Sequence, residues 1–245
     1  QIRGGRGYET APSLASRGEP AIPLERAMRD LRINRIFEGS NQVMRLFIAR
    51  EALDVHLKVA GDVVMPNVPM GRRLSGLVRS GLFYAGWYPS RWLGWGHWPQ
   101  YGEFGPLAGH LQWVERSSRR LARQLFHLMV LNGPALEKKQ GLLFRAVDVG
   151  AELFAMTATI VRAQRDVKRG TGGATPYELA DTFCRASRRR VDVLFAGIQS
   201  NDDAFNYDIA RSMLEGRYTW LEAGVVAAPT EGVPVAPERK TVGAS

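Results

Sequence analysis

Residues 136–160 read LEKKQGLLFRAVDVGAELFAMTATI, and their apolar positions recur at helical spacing. Leu143, Val147 and Phe154 lie one and then two helical turns apart, which places them on one face. The pattern ends before the glycines at residues 170–173, which interrupt a helix. This stretch therefore predicts one long helix, and the segments on either side can be interpreted from it.

The same spacing predicts further helices at residues 24–32, 41–60, 74–82, 107–128, 176–191 and 204–215. Ser40 and Thr175 are expected to cap two of them, because hydroxyl side chains accept hydrogen bonds from free N–H groups at helix starts. We expect residues 1–22 to be a loop and residues 84–106 to be irregular with short helical turns. No segment alternates apolar and polar residues as a strand would, so the predicted fold class is an all-α helical bundle.

Composition excludes several classes of protein. Cys184 is the only cysteine, so neither a disulfide framework nor a cysteine zinc cluster can form within the chain. No apolar run reaches the roughly 18 residues of a transmembrane helix, and the first residues lack the pattern of a signal peptide. The four histidines are scattered, so no metal site is expected: His56, His97, His110 and His127.

The net charge of +9 could attract nucleic acid or an anionic membrane. Arginines cluster at residues 119–123 and 185–190, where they could follow a phosphate backbone. Both clusters lie on predicted helices, where solvated faces and pairs with acidic residues are the alternative. No nucleic-acid-binding motif is present, so we expect no nucleic-acid partner.

The region nearest the N-terminus carries the candidate catalytic and binding residues. Residues 1–8 read QIRGGRGY, and residues 24–50 read LERAMRDLRINRIFEGSNQVMRLFIAR. Glu38 comes just before a predicted helix start, where free N–H groups favour negative charge. By local sequence alone, it could equally be a surface residue capping that helix, and the glycines at residues 4–5 could form an ordinary loop.

Three pieces of this region, in order, resemble the end of the catalytic region of acyl-CoA dehydrogenases. They are a Gln-x-x-Gly-Gly-x-Gly-Tyr turn, an Arg-Asp-x-x-Ile stretch, and Phe-Glu-Gly-Ser-x-Gln before an Arg-Leu helix. The resemblance implies that Glu38 is the catalytic base and that Gly39 touches the substrate. It also implies that FAD is contacted by Ser40, where the family usually has Thr, by Gln42, and, from the other subunit, by Gln1, Gly4 and Gly5.

The resemblance also implies an activity and partners. We expect α,β-dehydrogenation of long-chain fatty acyl-CoA to trans-2-enoyl-CoA in fatty acid β-oxidation, by a homodimer that passes electrons to electron transfer flavoprotein. The family needs an upstream flavin-binding region, so this chain is expected to be a C-terminal fragment that is inactive alone. The later residues resemble the helical C-terminal extension of the very-long-chain branch.

The expected domains are the end of the catalytic helical domain, a Trp/Arg-rich linker, a C-terminal helical domain and a disordered tail, at residues 1–60, 61–106, 107–222 and 223–245. Within residues 71–105, tryptophans, tyrosines and arginines suit the headgroup level of an anionic membrane. Alternatively, the tryptophans anchor a compact loop. We expect a cytoplasmic location, peripheral on the inner face of a membrane, or the mitochondrial matrix in a eukaryote. The alternative function is a peripheral membrane or protein-interaction module with a non-functional catalytic remnant.

Overall fold

The computed structural model describes residues 3–33, 35–36, 40–64, 67–94 and 100–221. Within these ranges all regular structure is helical and no β-strand is present, so the predicted all-α class is confirmed. The α-helices in these ranges are α1 Ala11–Ser16, α2 Leu24–Ile33, α3 Asn41–Val64, α4 Met70–Leu93, α5 Ala108–Asn132, α6 Gln140–Lys168, α7 Thr175–Gln199 and α8 Asp203–Leu214. Short 3-10 turns lie at Gly4–Gly7, Gly102–Leu107, Gly133–Lys138 and Thr219–Leu221.

The chain forms two compact units, residues 1–201 and 202–245. In the first, α6 packs between α5 and α7 and contributes to two clusters of buried apolar side chains. One cluster includes Val149 and Phe195, and the other includes Met156 and Ile160, all fully buried. Helix α8 belongs to the second unit and buries none of its residues.

Helix α6 ends where the glycines predict, and the chain turns back as α7. Gly170 adopts a φ of +72°, a left-handed conformation that glycine reaches without strain. Its N–H donates to Val167 O at 2.9 Å, and the Thr171 N–H donates to Asp166 O at 2.9 Å, which satisfies the last carbonyls of the helix. Thr175 does not cap α7, contrary to the prediction. It is the first helical residue, and its hydroxyl donates to Gly172 O at 2.7 Å.

The prediction that residues 1–22 form only a loop is wrong. Thr10 accepts a hydrogen bond from the Ser13 N–H at 3.4 Å, and this cap starts the short helix α1. Pro12 lies in the first turn of α1, where its missing N–H costs nothing. Leu14 is fully buried and anchors the helix. The surrounding glycines and prolines concealed this signal in the sequence.

The prediction of irregular structure from residue 84 is also wrong for its first part. Helix α4 continues to Leu93 with Pro89 inside it, and ends at Gly94 in a left-handed conformation. A proline in a helix interior removes one backbone hydrogen bond, so packing must compensate. Tyr84 and Trp87 provide that packing, because both contact aromatic side chains on neighbouring helices. Residues 100–106 are irregular or 3-10, as predicted.

Helices α3 and α4 form a closely packed antiparallel hairpin. The Ser80 hydroxyl donates to Val59 O at 2.9 Å, and Asp62 accepts hydrogen bonds from Arg72 and Arg79, each at 3.2 Å. A Cβ at Gly76 would lie 3.0 Å from the Asp62 Cβ, so glycine permits this close approach. The hairpin therefore fixes α4 on α3. The predicted domain boundaries stay predictions.

Candidate functional site

The structure describes four of the seven predicted site residues: Gly4, Gly5, Ser40 and Gln42. The other three, Gln1, Glu38 and Gly39, lie outside the described residues. Glu38 stands three positions before the first residue of α3. The start of α3 therefore limits how far from that helix Glu38 can lie.

The turn Gly4–Gly7 presents an open backbone. Gly4 and Gly5 are exposed, and Gly4 has a φ of +56°. A Cβ placed at either glycine would meet no atom within 4 Å, so a ligand could approach this backbone closely. Behind the turn, Glu19 pairs with Arg6 at 3.2 Å and with Arg17 at 3.7 Å, which ties the turn to α1.

The start of α3 offers polar groups that the described part of the chain leaves unpaired. The Met44 N–H donates to Ser40 O at 3.0 Å and closes the first turn. The N–H groups of the first turn of a helix have no partner within the helix and carry partial positive charge. The side chains of Ser40, half-buried, and Gln42, exposed, make no hydrogen bond among the described residues. Free N–H, hydroxyl and amide groups fit an anionic cofactor with polar ring atoms, such as FAD.

A buried histidine links α3, α4 and α5, which sequence reasoning missed. His56 is 5% exposed and shares a hydrogen bond of 2.9 Å, from Nδ1, with the Tyr84 hydroxyl. The edge of Trp87 lies 4.8 Å away between ring centroids, and Phe126 of α5 covers the cluster. Burial lowers the pKa of His56 and raises the pKa of Tyr84. These residues are far apart in sequence. Helical spacing could therefore predict the helix face that each one occupies, but not that they contact one another.

A second tyrosine–histidine pair joins α4 to α5. The Tyr88 hydroxyl lies 2.9 Å from His127 Nε2, and both rings contact Phe126. His127 is half-buried. Further along α4, the guanidinium group of Arg123 lies 3.8 Å from the Trp92 ring centroid. The end of α4 is therefore held on α5 by side-chain contacts.

The Trp/Arg segment divides between packing and exposure. Trp87 packs inward, as the alternative of an anchored segment expects, whereas Trp92 is 59% exposed. Large apolar side chains on α4 are exposed to solvent at Met70, Leu74, Leu77, Val78, Leu82, Trp92 and Leu93. The segment continues through Trp95 and Trp98, which lie outside the described residues. Among the residues described, no helix is long and apolar enough to cross a membrane.

Six of the seven arginines that could follow a phosphate backbone have local partners among the described residues. Three pair with carboxylates: Arg119 with Glu115 at 3.3 Å, Arg185 with Asp181 at 2.8 Å, and Arg190 with Glu152 at 2.7 Å. Three others lie against aromatic rings: Arg120 on Phe195, Arg123 on Trp92, and Arg188 on Trp113. The bidentate Arg190 holds the pKa of Glu152 below its usual value. These contacts favour the interpretation of paired helix surfaces.

Other reactive side chains offer no site of their own. Cys184 is fully buried, and burial raises the pKa of its thiol to about 11, so it stays protonated and unreactive at neutral pH. Asp181 accepts a hydrogen bond of 2.8 Å from His110 Nε2, and this bond lowers the pKa of Asp181. Within the ranges described, no three His, Cys, Asp or Glu residues lie together as metal ligands would.

Comparison with known proteins gives consistent matches. Residues 1–53 match the family described as acyl-CoA dehydrogenase, C-terminal domain. The chain is 52% identical over 228 residues to the probable acyl-CoA dehydrogenase FadE10 of Mycobacterium tuberculosis, covering 92% of this chain and 35% of that protein. It is 29% identical over 241 residues to the mitochondrial very long-chain specific acyl-CoA dehydrogenase of Homo sapiens, covering 92% of this chain and 32% of that protein.

The match continues well past the family domain. The alignment with the very long-chain specific enzyme of Macaca fascicularis is 30% identical over 216 residues, far more than residues 1–53 contain. The chain spans about a third of the length of the curated relatives it matches. The glycine turn and the start of α3 both lie in the matched domain. The chain therefore belongs to the acyl-CoA dehydrogenase family, corresponds to the C-terminal part of its members, and resembles the very long-chain branch beyond that domain.

Proposed function

We propose that this chain is the C-terminal part of a flavin-dependent acyl-CoA dehydrogenase that converts long-chain fatty acyl-CoA to trans-2-enoyl-CoA in fatty acid β-oxidation. One observation carries the proposal. Helix α3 begins with unpaired polar groups at Ser40 and Gln42, immediately after Glu38, inside the segment that matches the family domain. A base and a set of hydrogen-bond donors thus fall within a few residues of one helix start.

In the proposed reaction, the Glu38 carboxylate removes a proton from the α-carbon of the acyl thioester. Such a proton is too weakly acidic for a free carboxylate in water, so two effects must assist. Burial between acyl chain and cofactor disfavours the charged form of Glu38 and makes it a stronger base. The Glu38 backbone N–H donates to the thioester oxygen and stabilises the negative charge that develops there. Gly39, without a side chain, leaves room for substrate beside the base.

The residues around this base would hold FAD, which when bound would accept the hydride that leaves the β-carbon. Loss of the α-proton and of this hydride together forms the double bond. Ser40 and Gln42 offer a hydroxyl and an amide at the start of α3. The open backbone at Gly4 and Gly5, with Gln1, suits a phosphate group, because glycine lets N–H groups approach it closely. In the proposed homodimer, this turn reaches the flavin of the other subunit.

The proposal limits what the chain can do alone. The chain spans about a third of the length of its relatives, and the proposal places the flavin ring pocket in the part that it does not cover. The isolated 245-residue chain is therefore expected neither to bind FAD tightly nor to turn over substrate. In the complete protein, electron transfer flavoprotein is the proposed electron acceptor. The proposed location is the cytoplasm, or the mitochondrial matrix in a eukaryote.

A Glu38→Gln variant of the complete flavoprotein tests the assignment. The amide keeps the shape of the side chain but cannot accept the proton, so dehydrogenation should fall below about a thousandth of the wild-type rate. Flavin absorbance per protomer should not change. A Glu25→Gln variant on α2 is the matched control, because among the described residues the ion-pair partner of Glu25 is Arg29 of its own helix, at 2.6 Å. Normal turnover by Glu38→Gln would refute the role of Glu38.

A second candidate function is favoured by the exposed apolar side chains of α4. In this alternative, the chain is a peripheral membrane or protein-interaction module with a non-functional catalytic remnant. Membrane contact is also compatible with the enzyme, since a long acyl chain travels poorly through water. The reading frame upstream of Gln1 separates the two: a flavin-binding region supports the enzyme, and a start codon directly before Gln1 supports the module.

A further inference from the structure

The first two turns of α3 have few contacts with the rest of the described chain. Among residues 41–48, only Arg45 and Leu46 are even partly buried, and the others are exposed. Ala49 and Leu53 follow on the inward face and are buried in the main apolar cluster. The helix that follows Glu38 is therefore held by the core from Ala49 onward, whereas its start depends mainly on Arg45.

Arg45 reaches across to α6 and contacts two side chains there. Its Nη2 lies 2.8 Å from Asp148 Oδ1 and donates to Oδ2 at 3.1 Å. Its guanidinium carbon lies 5.5 Å from the centroid of the Phe144 ring. Phe144 and Asp148 are four residues apart, so they lie on one face of α6. A planar guanidinium group can bind a carboxylate at its edge and a ring at its face, which fixes both its distance and its orientation.

The α6 side of this contact is rigid. Leu143 and Val147 directly precede Phe144 and Asp148 in the sequence, and both are buried in the main apolar cluster. Val149, next after Asp148, is fully buried. Phe144 and Asp148 are thus presented by a helix that cannot shift without disturbing the core. Because Arg45 contacts this helix, the position of α6 restricts where the start of α3 can lie.

We propose that Arg45, Asp148 and Phe144 act as a positioning contact, through which the C-terminal helices set the location of the Glu38 segment. The proposal rests on the proposed function, because Glu38 matters only if it is the base. Asn41 lies about 6 Å along the helix axis from Arg45, at 1.5 Å per residue, so little chain separates the contact from the catalytic segment. A displacement of about 1 Å at a reacting group can slow a reaction about a hundredfold.

The contact is suited to mutation, because its loss should leave the fold intact. Both Arg45 and Asp148 are about one-third exposed, and an ion pair that water reaches contributes little to global stability. The chain also provides a matched control. Glu152 and Arg190 form a bidentate pair between α6 and α7 in the groove that Arg45 and Asp148 also line, and neither residue belongs to α3. Comparison of the two pairs separates a local effect on α3 from a general effect of removing an ion pair.

Amide hydrogen exchange on the 245-residue chain tests the physical part. In Asp148→Asn, amides of residues 44–48 should exchange about two- to fivefold faster, while buried amides of α6 and α7 keep wild-type rates. Glu152→Gln should leave residues 44–48 unchanged. The charge-exchanged double variant Arg45→Asp with Asp148→Arg should restore part of the protection. Wild-type exchange at residues 44–48 in Asp148→Asn would overturn the proposal, as would the same acceleration in Glu152→Gln.

Kinetics of the complete flavoprotein test the catalytic part. Asp148→Asn should lower kcat about tenfold with KM and flavin content unchanged, because the base is displaced while binding is not. The charge-exchanged variant should recover part of kcat. If Asp148→Asn fails to fold, Arg45→Lys, which keeps the charge but loses the planar fork, replaces it. Wild-type kcat overturns the positioning role. Full activity of Glu38→Gln would instead refute the proposed function and leave the exchange result standing.

Discussion

His56 shows that a sequence pattern does not predict which side chains contact one another across helices. From the sequence it was one of four scattered histidines without a metal-binding neighbour. In the structure it is buried among Tyr84, Trp87 and Phe126, and its ring and hydrogen-bond contacts with the described residues include no charged group. Helical spacing predicts which face a residue occupies but not its partner on another helix. These contacts of His56 join α3, α4 and α5 at one point, so the protonation state of His56 should affect the free energy of unfolding.

The prediction at this scale concerns pH and stability. Unfolded His56 takes up a proton near its ordinary pKa of about 6.5, whereas burial lowers its pKa in the folded chain. The unfolded state therefore binds more protons below that pH, and the free energy of unfolding falls as pH drops from 7 to 5, by at most about 1.4 kcal/mol per pH unit. His56→Phe removes this term, so the stability difference between wild type and variant should be smaller at pH 5 than at pH 7.

Urea unfolding at the two pH values measures this difference. Tyr84→Phe is the control, because it removes the hydrogen bond but keeps the imidazole and its burial. It should retain the wild-type dependence on pH. A gap between wild type and His56→Phe that stays constant from pH 7 to pH 5 would show that His56 takes up its proton equally well in the folded chain.

At the scale of elements, α4 shows where prediction from sequence succeeds and where it fails. The spacing of Leu74, Leu77 and Leu82 predicted a helix, and the structure contains one. Pro89 and the density of aromatic residues predicted irregular structure, but packing of Tyr84 and Trp87 on α3 and α5 keeps the helix intact to Leu93. Propensity is local, and tertiary contacts override it. The same contacts leave the aliphatic side chains of α4 exposed.

Membrane binding is the prediction for α4. The helix carries four arginines and no acidic residue, beside an exposed row of leucines. We expect the chain to co-sediment with vesicles that contain phosphatidylglycerol, less with neutral vesicles, and less at high salt. A triple Leu74→Ser, Leu77→Ser, Leu82→Ser variant should bind at least about tenfold more weakly, since each leucine contributes apolar burial in the bilayer interface.

A serine at Leu179 provides the control for α4. Leu179 is an equally exposed leucine on α7, outside the Trp/Arg segment, so Leu179→Ser should bind vesicles as wild type does. Circular dichroism should confirm that both variants keep their helical content. Absence of binding to either type of vesicle would remove the membrane proposal and leave the enzyme proposal untouched.

For the whole molecule, sequence and structure contribute different parts of the account. The all-α class and most helix starts followed from apolar spacing, because long amphipathic helices carry a strong periodic signal, whereas several helices end later than predicted. Glu38, Ser40 and Gln42 came from an ordered motif. The contact between Arg45 and Asp148 spans more than a hundred residues and could be seen only in the fold. The motif predicts the chemistry, and the structure shows the Arg45–Asp148 contact through which we propose that the Glu38 segment is positioned.

The most direct test of the proposed role of Glu38 follows the hydrogens on the α-carbon of the substrate. The complete flavoprotein, kept anaerobic in D₂O with long-chain acyl-CoA, should exchange the hydrogens on the α-carbon of the substrate, because in the proposed reaction the Glu38 carboxylate removes and returns them. Mass spectrometry of the recovered acyl-CoA measures the deuterium gained. We predict incorporation with wild type and none above the buffer rate with Glu38→Gln. Equal incorporation by the two proteins would contradict the account, because another group would then be the base.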